Sequence, residues 1–156
     1  MQIVLEPIGF VRSGRKGPED DNWGSVVSEI VVELGGEALQ GIEEFSHAEI
    51  LFYFDRAEER KIVRGARHPR DNRRWPRVGI LAQRAKDRPN RLGLTTVRIL
   101  KREGATLTVQ GLDAIDGTPV LDIKPAMREF LPHGPLRQPE WAAELMKDYW
   151  NRSEET

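Results

Sequence analysis

The 156-residue sequence contains no cysteine, and this absence excludes disulfides, thiolate metal sites and thiol nucleophiles. Long apolar runs are also missing, since none approaches the ~20 residues that a membrane-spanning helix needs. No Gly-x-Gly-x-x-Gly pattern follows a predicted strand and opens a helix, which excludes the usual dinucleotide-type α/β site. The first residues lack the basic-then-apolar plan of a signal peptide, so a cytoplasmic protein is expected.

The balance of residues is that of an ordinary folded domain. Of the 156 residues, 38% are hydrophobic and 31% are charged, which predicts a single domain with an adequate core. The net charge is −1, but residues 56–102 hold 16 Lys and Arg against 4 Asp and Glu, whereas the remainder holds 8 against 21. Either the two regions pair with each other in the fold, or the basic region forms a face for a polyanion.

Short apolar segments separated by turn signals predict the fold class. We expect an all-β (mainly β) protein, a small closed or half-closed antiparallel β-barrel with a C-terminal helix. In the first strand, Ile8, Phe10 and Val11 are predicted core residues. Gly104 marks a hairpin between two later strands. The predicted strands cover residues 3–12, 26–33, 48–54, 78–83, 94–102, 105–112 and 120–123.

Besides one or two helical turns over residues 38–44, two helices are predicted. Asp55 is a side-chain cap for a short helix over residues 56–63. A C-terminal helix is expected over residues 138–151, with Pro139 at its first position, where a missing N–H costs nothing.

The second helix carries an apolar stripe. Trp141, Leu145 and Tyr149 fall at i, i+4 and i+8, so they share one face that packs on the body of the protein or on a partner. We therefore expect a barrel domain over residues 1–137, with a C-terminal helix and tail, 138–156, packed on the same domain.

The most unusual stretch of the chain reads GLDAIDGTPVLDIKP. Asp116 and Gly117 predict a tight hairpin turn, because such a turn needs a positive φ. The same stretch places Asp113, Asp122 and Lys124 beside an apolar strand, where charges are costly unless they are paired or functional. One interpretation is a hairpin with a structural Asp–Lys pair; the other is a functional site.

The arginine segment (residues 64–77) is predicted to be a surface loop, because it has little apolar side chain to bury. Guanidinium groups bind phosphate through two parallel hydrogen bonds and stack on bases. The segment is therefore either a solvated loop or an RNA-binding surface, for which Arg70, Arg73 and Arg74 are the candidates. Its arginines are Arg64, Arg67, Arg70, Arg73, Arg74 and Arg77.

Two further residues have alternative interpretations. Trp23 lies in a polar loop over residues 13–24, where an aromatic ring either pins the loop to the core or covers a ligand. His47 precedes a predicted strand and is either a general base or ligand, or a hydrogen-bonded structural residue.

Four motifs, taken in order, resemble the tRNA methyltransferase O family, also called TsaA-like or YaeB-like. They are FSH at 45–47, R-x-x-x-RPN at 84–90, GL at 93–94, and D-x-x-DGTPVLDIKP at 113–125. The resemblance covers roughly residues 8–125, and the last motif is too long to arise readily by chance.

This resemblance implies a small β-barrel that binds S-adenosylmethionine and works as a homodimer. It also implies methylation of N6-threonylcarbamoyladenosine beside the anticodon of tRNA. No metal or membrane is implied. Methyl transfer is an in-line displacement that depends mainly on alignment in a dry site, so no strong base and no particular catalytic residue is predicted.

The resemblance also implies positions for the site. Near the reacting centre or the substrate it implies Arg88, Asn90 and Asp116. For the cofactor it implies Asn22, Trp23, Asp55, Arg56, Arg84, Leu94, Gly111, Leu112 and Asp113.

The chain departs from the family pattern in several places. The N-terminal loop reads PEDDNWG instead of a Pro-Arg-Gln-Pro-Gly type sequence, and Gln83 stands where a threonine is usual. No counterpart of the extra C-terminal domain of longer bacterial members is expected. Two other functions stay open at this point: an S-adenosylmethionine-binding sensor or partner-binding barrel without transfer activity, and a plain RNA-binding barrel.

Overall fold

The computed structural model describes residues 1–152. Most of the regular secondary structure in these residues is β-strand. The strands are β1 (Gly9–Ser13), β2 (Val27–Val32), β3 (His47–Tyr53), β4 (Ala66–Arg67), β5 (Val78–Gly79), β6 (Leu92–Glu103), β7 (Thr106–Gln110) and β8 (Pro119–Pro125). One α-helix, α1, spans Glu140–Leu145. Short 3-10 turns lie at Gly36–Leu39, Ile42–Glu44, Glu59–Lys61, Pro69–Asp71, Ile80–Ala82, Pro89–Arg91 and Arg128–Phe130.

Six of these strands close into one antiparallel barrel, in the order β1-β2-β7-β6-β3-β8. The barrel closes where β8 pairs with β1, with Val120 opposite Gly9. β4 and β5 pair separately as a two-stranded sheet. The predicted antiparallel β-barrel is therefore confirmed in its closed form, and the predicted hairpin at Gly104 joins β6 to β7.

The barrel interior is filled by alternate residues of each strand. β2, for example, buries Ser28, Ile30 and Val32 and turns the residues between them outward. This period of two follows from the pleat of a strand. The core contains Val11, Ile30, Val32, Leu39, Ala48, Ile50, Phe52, Val97, Leu107, Val109, Leu112, Ala114 and Val120.

The first strand begins later than predicted. Residues 1–7 carry no regular structure, and Phe10, a predicted core residue, is 37% exposed. Val11 is buried as predicted, and Ile8 packs against the core from the side. The alternation turns Gly9 and Val11 inward, so Phe10 must face outward. A Cβ at Gly9 would lie 2.4 Å from the carbonyl oxygen of Val31, which explains why a glycine precedes Phe10.

The predicted lengths of three other elements are wrong. The helix expected over 56–63 is a single 3-10 turn at Glu59–Lys61, because the Val63 N–H donates to Asp87 at 2.9 Å and draws the chain away. The strand expected over 78–83 is only two residues long and passes into a 3-10 turn. The long C-terminal helix is the six-residue α1, and Pro139 precedes it as the N-cap.

The predicted turn at Asp116-Gly117 is present, but it does not make a hairpin. The Thr118 N–H donates to the Ile115 carbonyl at 3.2 Å, and Gly117 has a φ of +83°. The turn leads from β7 to β8, which are not neighbours in the barrel. The chain therefore crosses one end of the barrel between residues 111 and 118.

The chain after α1 returns to the barrel. Residues 138–150 (the 138–150 segment) contain α1 and the turns after it, and they contact the loop over residues 13–24 (the N-terminal loop). The tail predicted to follow includes residues 153–156, which lie outside the described residues. Within residues 1–152, the helices are all too short to cross a membrane.

Candidate functional site

A large cleft lies at the end of the barrel where β3 ends and β6 begins, and its volume is about 1670 Å³. Single small-molecule sites usually measure ~300–1,000 Å³, so this cleft has room for more than one ligand. Its walls come from the N-terminal loop, residues 51–57, residues 67–71, residues 78–96, residues 113–118 and the 138–150 segment.

Gly93 and Phe52 shape the barrel wall beneath the cleft. The two residues are paired across β3 and β6. A Cβ at Gly93 would lie 2.4 Å from the Phe52 ring, so only glycine leaves room for this ring. The register between β3 and β8 shifts after Leu51, and a bulge of this kind bends a strand. The chain leaves β3 shortly afterwards, and Asp55 and Arg56 line the cleft.

Asp113 is the most fully engaged of the acidic side chains in the cleft. The Thr95 hydroxyl donates to one oxygen of its carboxylate, and the Tyr149 hydroxyl donates to the other. Thr95 comes from β6 and is buried, whereas Tyr149 comes from the 138–150 segment. The carboxylate is therefore held between the barrel and the segment that covers it.

Gly111 and Leu112 place Asp113 without lining the cleft themselves. Gly111 has a φ of +87°, a conformation that glycine adopts without strain, and its N–H donates to Val26 at 2.9 Å. Leu112 is fully buried in the core. The backbone turn and the anchored leucine together direct the next residue, Asp113, toward the cleft.

Arg84, Leu94 and Asn90, three residues implied by the motifs, lie together on one wall of the cleft. The Arg84 guanidinium is exposed and donates to the backbone carbonyl of Leu94. No ion pair to Asp113 or Asp122 occupies it among the described residues. Asn90 is exposed and has a φ of +63°. Since a guanidinium has five N–H donors, Arg84 keeps donors for a ligand.

Arg88 lines the same wall but also organises its own loop. Its guanidinium donates to the carbonyls of Gln83 at 2.6 Å and Ala85 at 3.4 Å. Gln83, which departs from the family pattern, is buried and donates to the carbonyls of Arg67 and Val78 at 3.0 and 3.1 Å. Its amide thus ties the β4–β5 sheet to the wall of the cleft.

Asp116 lies outside the cleft and stabilises the turn. Its carboxylate accepts from the Ser13 N–H at 3.0 Å, and its own N–H donates to Arg15 at 2.8 Å. Arg56 donates to the Asp116 carbonyl at 3.3 Å, so Arg56 bridges this turn and the cleft that it lines.

Trp23 both pins the N-terminal loop and lines the cleft. It is only 3% exposed, and its indole N–H donates to the Glu19 carbonyl at 3.1 Å. The Arg15 guanidinium lies 3.6 Å from the centre of the ring and donates to the carbonyls of Asp21 and Asn22. Asn22 has a φ of +67° and does not line the cleft.

Main-chain contacts join the 138–150 segment to the N-terminal loop. The N–H groups of Asn22 and Trp23 donate to the carbonyls of Asp148 and Tyr149, at 3.1 and 2.8 Å. These bonds complete the cleft wall opposite the barrel.

The apolar stripe of this segment faces the cleft, since Trp141, Leu145 and Tyr149 all line it. Burial of the Tyr149 hydroxyl, and then the negative charge of Asp113 beside it, raise the pKa of this phenol. Tyr149 therefore stays protonated and remains a hydrogen-bond donor.

Three arginines of the arginine segment are engaged by acids. Arg67 and Asp87 form an ion pair at 3.2 Å, with side chains only 18% and 12% exposed. Arg70 lines the cleft and pairs with Asp21 at 3.1 Å, which links the segment to the N-terminal loop. Arg74 lies 3.7 Å from a carboxylate oxygen of Glu144 on α1.

The other three arginines are free for an external anion. Arg64, Arg73 and Arg77 are exposed, and the part of the chain that the structure describes offers them no acidic partner within ion-pair distance. Of the predicted RNA-binding set, Arg73 is therefore a surface residue without an acidic partner among residues 1–152, whereas Arg70 belongs to the cleft wall and Arg74 pairs with Glu144 on α1.

The motifs missed Thr95 and Tyr149. Thr95 could have been predicted from the alternation along β6. Gly93, Thr95 and Val97 face the interior of the barrel, and Thr95 is the polar residue among them. Tyr149 was predicted only as a packing residue. His47, by contrast, lies outside the cleft and shares a hydrogen bond with the Ser46 hydroxyl at 2.6 Å.

A comparison with known families identifies the family, because the match includes most of the residues that line the cleft. Residues 18–130 match the tRNA-methyltransferase O N-terminal domain. The chain belongs to the tRNA methyltransferase O family. The match begins in the N-terminal loop and includes every motif that carried the resemblance, but it ends before the 138–150 segment.

Individual relatives differ in how much of their length this chain covers. A probable S-adenosyl-L-methionine-binding protein of Methanothermobacter thermautotrophicus is 40% identical over 133 residues, which are 80% of this chain and 90% of that protein. The mouse tRNA (adenine(37)-N6)-methyltransferase is 41% identical over 93 residues, 60% of this chain but 21% of the mouse protein.

A solved structure of the family has the same fold. The crystal structure of TrmO from Pseudomonas aeruginosa superposes with a TM-score of 0.71 at 30% identity. The superposition covers 88% of this chain and 61% of the bacterial chain. The present chain thus spans less than two thirds of that relative.

Proposed function

We propose that this chain is an S-adenosylmethionine-dependent tRNA methyltransferase. The proposed product is N6-methylated threonylcarbamoyladenosine at the position beside the anticodon. The observation that carries the proposal is the cleft, which gathers Asp55, Arg56, Arg84 and Asp113, all of them positions that the family resemblance implies for the cofactor. The name of the mouse relative supports the adenine N6 acceptor.

The residues of the cleft fit this cofactor chemically. Carboxylates at Asp55 and Asp113 can accept hydrogen bonds from hydroxyl and amino groups. Arg84 retains donors for a carboxylate, which a guanidinium binds through two parallel bonds. Exposed Leu81 and Leu94 offer apolar surface to a flat base.

Methyl transfer requires mainly that the protein align the two reactants. When bound, the cofactor would supply a methyl group on a sulfonium; its transfer to N6 would break the S–C bond as the N–C bond forms, and the N6 proton would pass to solvent. Arg84, Asn90 and Asp113 line the same cleft, so they would hold both ligands within it. The 138–150 segment excludes water from one side. Holding two reactants in such a geometry lowers the barrier by removing the cost of orienting them.

Methyl transfer can be tested directly. The protein should incorporate label from S-adenosylmethionine into tRNA that carries threonylcarbamoyladenosine, and digestion should show an added methyl on that nucleoside. Asp113→Ala is the matched control and should lose transfer. Tight cofactor binding without any methylated product would favour the sensor function instead, and failure to bind the cofactor would leave a plain RNA-binding barrel.

Transfer RNA as the partner is supported by the free arginines as well as by the relatives. Arg64, Arg73 and Arg77 provide exposed guanidinium groups on one segment. Such groups neutralise phosphates and release counterions. We further propose the cytoplasm as the compartment, since the proposed tRNA substrate is found there.

We also propose a homodimer, with a contact surface different from the predicted stripe. The stripe faces the cleft, whereas the stretch after β8 presents Met127, Phe130, Leu131 and Leu136 to solvent, Phe130 with 79% of its surface exposed. Several exposed apolar side chains within one short stretch are typical of an interface.

Light scattering at micromolar concentration should give about twice 17.8 kDa. Changing both Phe130 and Leu136 to Ser should halve the measured mass and leave the barrel folded. The double change Leu34→Ser and Leu100→Ser, at exposed leucines elsewhere, is the control. A wild-type monomer at all concentrations would rule out the dimer.

A further inference from the structure

The carboxylate of Asp113 has two donors, and each occupies a different oxygen. Thr95 donates to Oδ1 and Tyr149 to Oδ2. A carboxylate has about four acceptor positions, so two of them remain for a ligand. Because the donors bind different oxygens and come from the barrel and from the 138–150 segment, they fix the rotation of the carboxylate about its bond. Asp113 itself lines the cleft.

Tyr149 is not needed to hold the segment in place. Its backbone carbonyl accepts from the Trp23 N–H at 2.8 Å, and its neighbour Asp148 accepts from Asn22 at 3.1 Å. The Tyr149 ring also packs edge-on against Trp150, with centroids 4.8 Å apart. Removal of the hydroxyl alone would leave all these contacts intact. The role of the hydroxyl is therefore to orient Asp113.

We propose that Tyr149 is a positioning residue for the cofactor, acting through Asp113; this rests on the proposed function. Tyr149 orients the carboxylate so that its two remaining acceptor positions meet hydroxyl or amino donors of the bound cofactor. The family match ends at residue 130, so this role lies outside the matched domain. The raised pKa of Tyr149 supports the assignment, because the phenol stays a donor at neutral pH.

The test removes the hydroxyl and nothing else. Tyr149→Phe should weaken S-adenosylmethionine binding by about tenfold, the scale of one hydrogen bond to a charged group. Its melting temperature without ligand should stay near that of the wild type. Tyr53→Phe is the matched control, because Tyr53 is the other tyrosine of the sequence and does not line the cleft. Calorimetry measures the affinity of each protein.

Two further measurements separate positioning from a structural role. In transfer assays Tyr149→Phe should raise KM for S-adenosylmethionine and leave KM for tRNA unchanged. Thr95→Val, which removes the donor at the other oxygen, should weaken cofactor binding in the same way. It also tests the proposal if Tyr149→Phe does not fold.

The outcomes are distinct. Wild-type cofactor binding with equally tight binding by Tyr149→Phe would overturn this inference and leave the proposed function intact. Unchanged affinity with a lowered melting temperature would show that the Tyr149 hydroxyl has a structural role only, which overturns the inference. A wild-type protein that does not bind S-adenosylmethionine would overturn both proposals.

Discussion

Three aspartates within ten residues illustrate how surroundings decide the role of one residue type. Asp113 lies in the cleft with two hydroxyl donors. Asp116 accepts from a backbone N–H and stabilises a turn. Asp122 pairs with Lys124 at 3.4 Å, with both side chains largely exposed, so this pair contributes little stability. Asp116 and Asp122 thus have structural partners only, although the predicted hairpin is absent, whereas Asp113 also lines the cleft.

Arg84 provides the most direct test of the cofactor site. Arg84→Lys keeps the charge but loses the planar fork that binds a carboxylate through two bonds. We expect S-adenosylmethionine binding to weaken by ~1–3 kcal/mol, the scale of a hydrogen bond to a charged group. A lysine can still donate to the Leu94 carbonyl, so the melting temperature without ligand should change little. Normal affinity combined with a lowered melting temperature would make Arg84 a structural residue.

Tyr149 also predicts a pH dependence of stability. In the unfolded chain its phenol titrates near 10.0, whereas burial and Asp113 raise its pKa in the fold. The unfolded chain therefore releases this proton first, so the titration of the phenol costs no stability below about pH 10, and the free energy of unfolding falls as the pH rises further. The melting temperature should fall more steeply above about pH 10 in the wild type than in Tyr149→Phe. Parallel curves for the two proteins would contradict this.

At the scale of elements, strand positions could be predicted from alternation, but element lengths could not. β2 and β3 differ from their predicted bounds by one residue at either end, because their alternating burial is visible in the residues. The 3–12 strand was too long because a partner is available only from Gly9 onward. The helix over 56–63 failed because a distant backbone carbonyl, that of Asp87, accepts from the N–H of its last residue, Val63.

The candidate site could be predicted only where it lies within contiguous motifs. Arg84, Asp113 and their neighbours were found in this way. Thr95 and Tyr149 were not, because their role depends on a carboxylate 18 and 36 residues away in the sequence. Contacts across such separations follow from the closure of the barrel, which local patterns do not specify.

Gly24 tests whether the 138–150 segment must be docked for the site to work. A Cβ at Gly24 would lie 2.0 Å from the Trp150 carbonyl oxygen, so Gly24→Ala must displace the segment. We expect faster proteolysis within residues 138–150 and weaker cofactor binding. Gly14→Ala is the matched control in the same loop, since a Cβ there has no neighbour within 4 Å. Unchanged proteolysis and affinity would show that the segment is dispensable.

At the scale of the whole molecule, ion pairs show the first of the two uses left open for the uneven charge, the pairing of the two regions. The second use, a face for a polyanion, stays a proposal. Arg70–Asp21, Arg74–Glu144 and Arg102–Glu43 join the basic region to the acidic remainder. Arg64, Arg73 and Arg77 are exposed and have no acidic partner among the described residues, so they form the basic surface that remains. The charge split therefore both assembles the fold and leaves a basic surface.

The salt dependence of tRNA binding should report on this surface. Changing Arg64, Arg73 and Arg77 together to Ala should flatten the slope of log affinity against log salt by ~0.7–0.9 for each phosphate that the protein no longer neutralises. Cofactor binding should not change. The control removes three paired surface charges instead, Arg12, Lys101 and Lys124. An unchanged slope in the first variant would show that the arginine segment is a solvated loop and not an RNA-binding surface.

The junction between the N-terminal loop and the 138–150 segment has an evolutionary consequence. Its hydrogen bonds join N–H and carbonyl groups of the main chain, which every residue except proline can supply. Apart from the buried Trp23, side chains there can diverge between homologues while the wall keeps its place, which accommodates the unusual PEDDNWG sequence. In a saturation-mutagenesis library, the substitutions that break the main-chain junction itself should be proline at Asn22 or Trp23 and any side chain at Gly24.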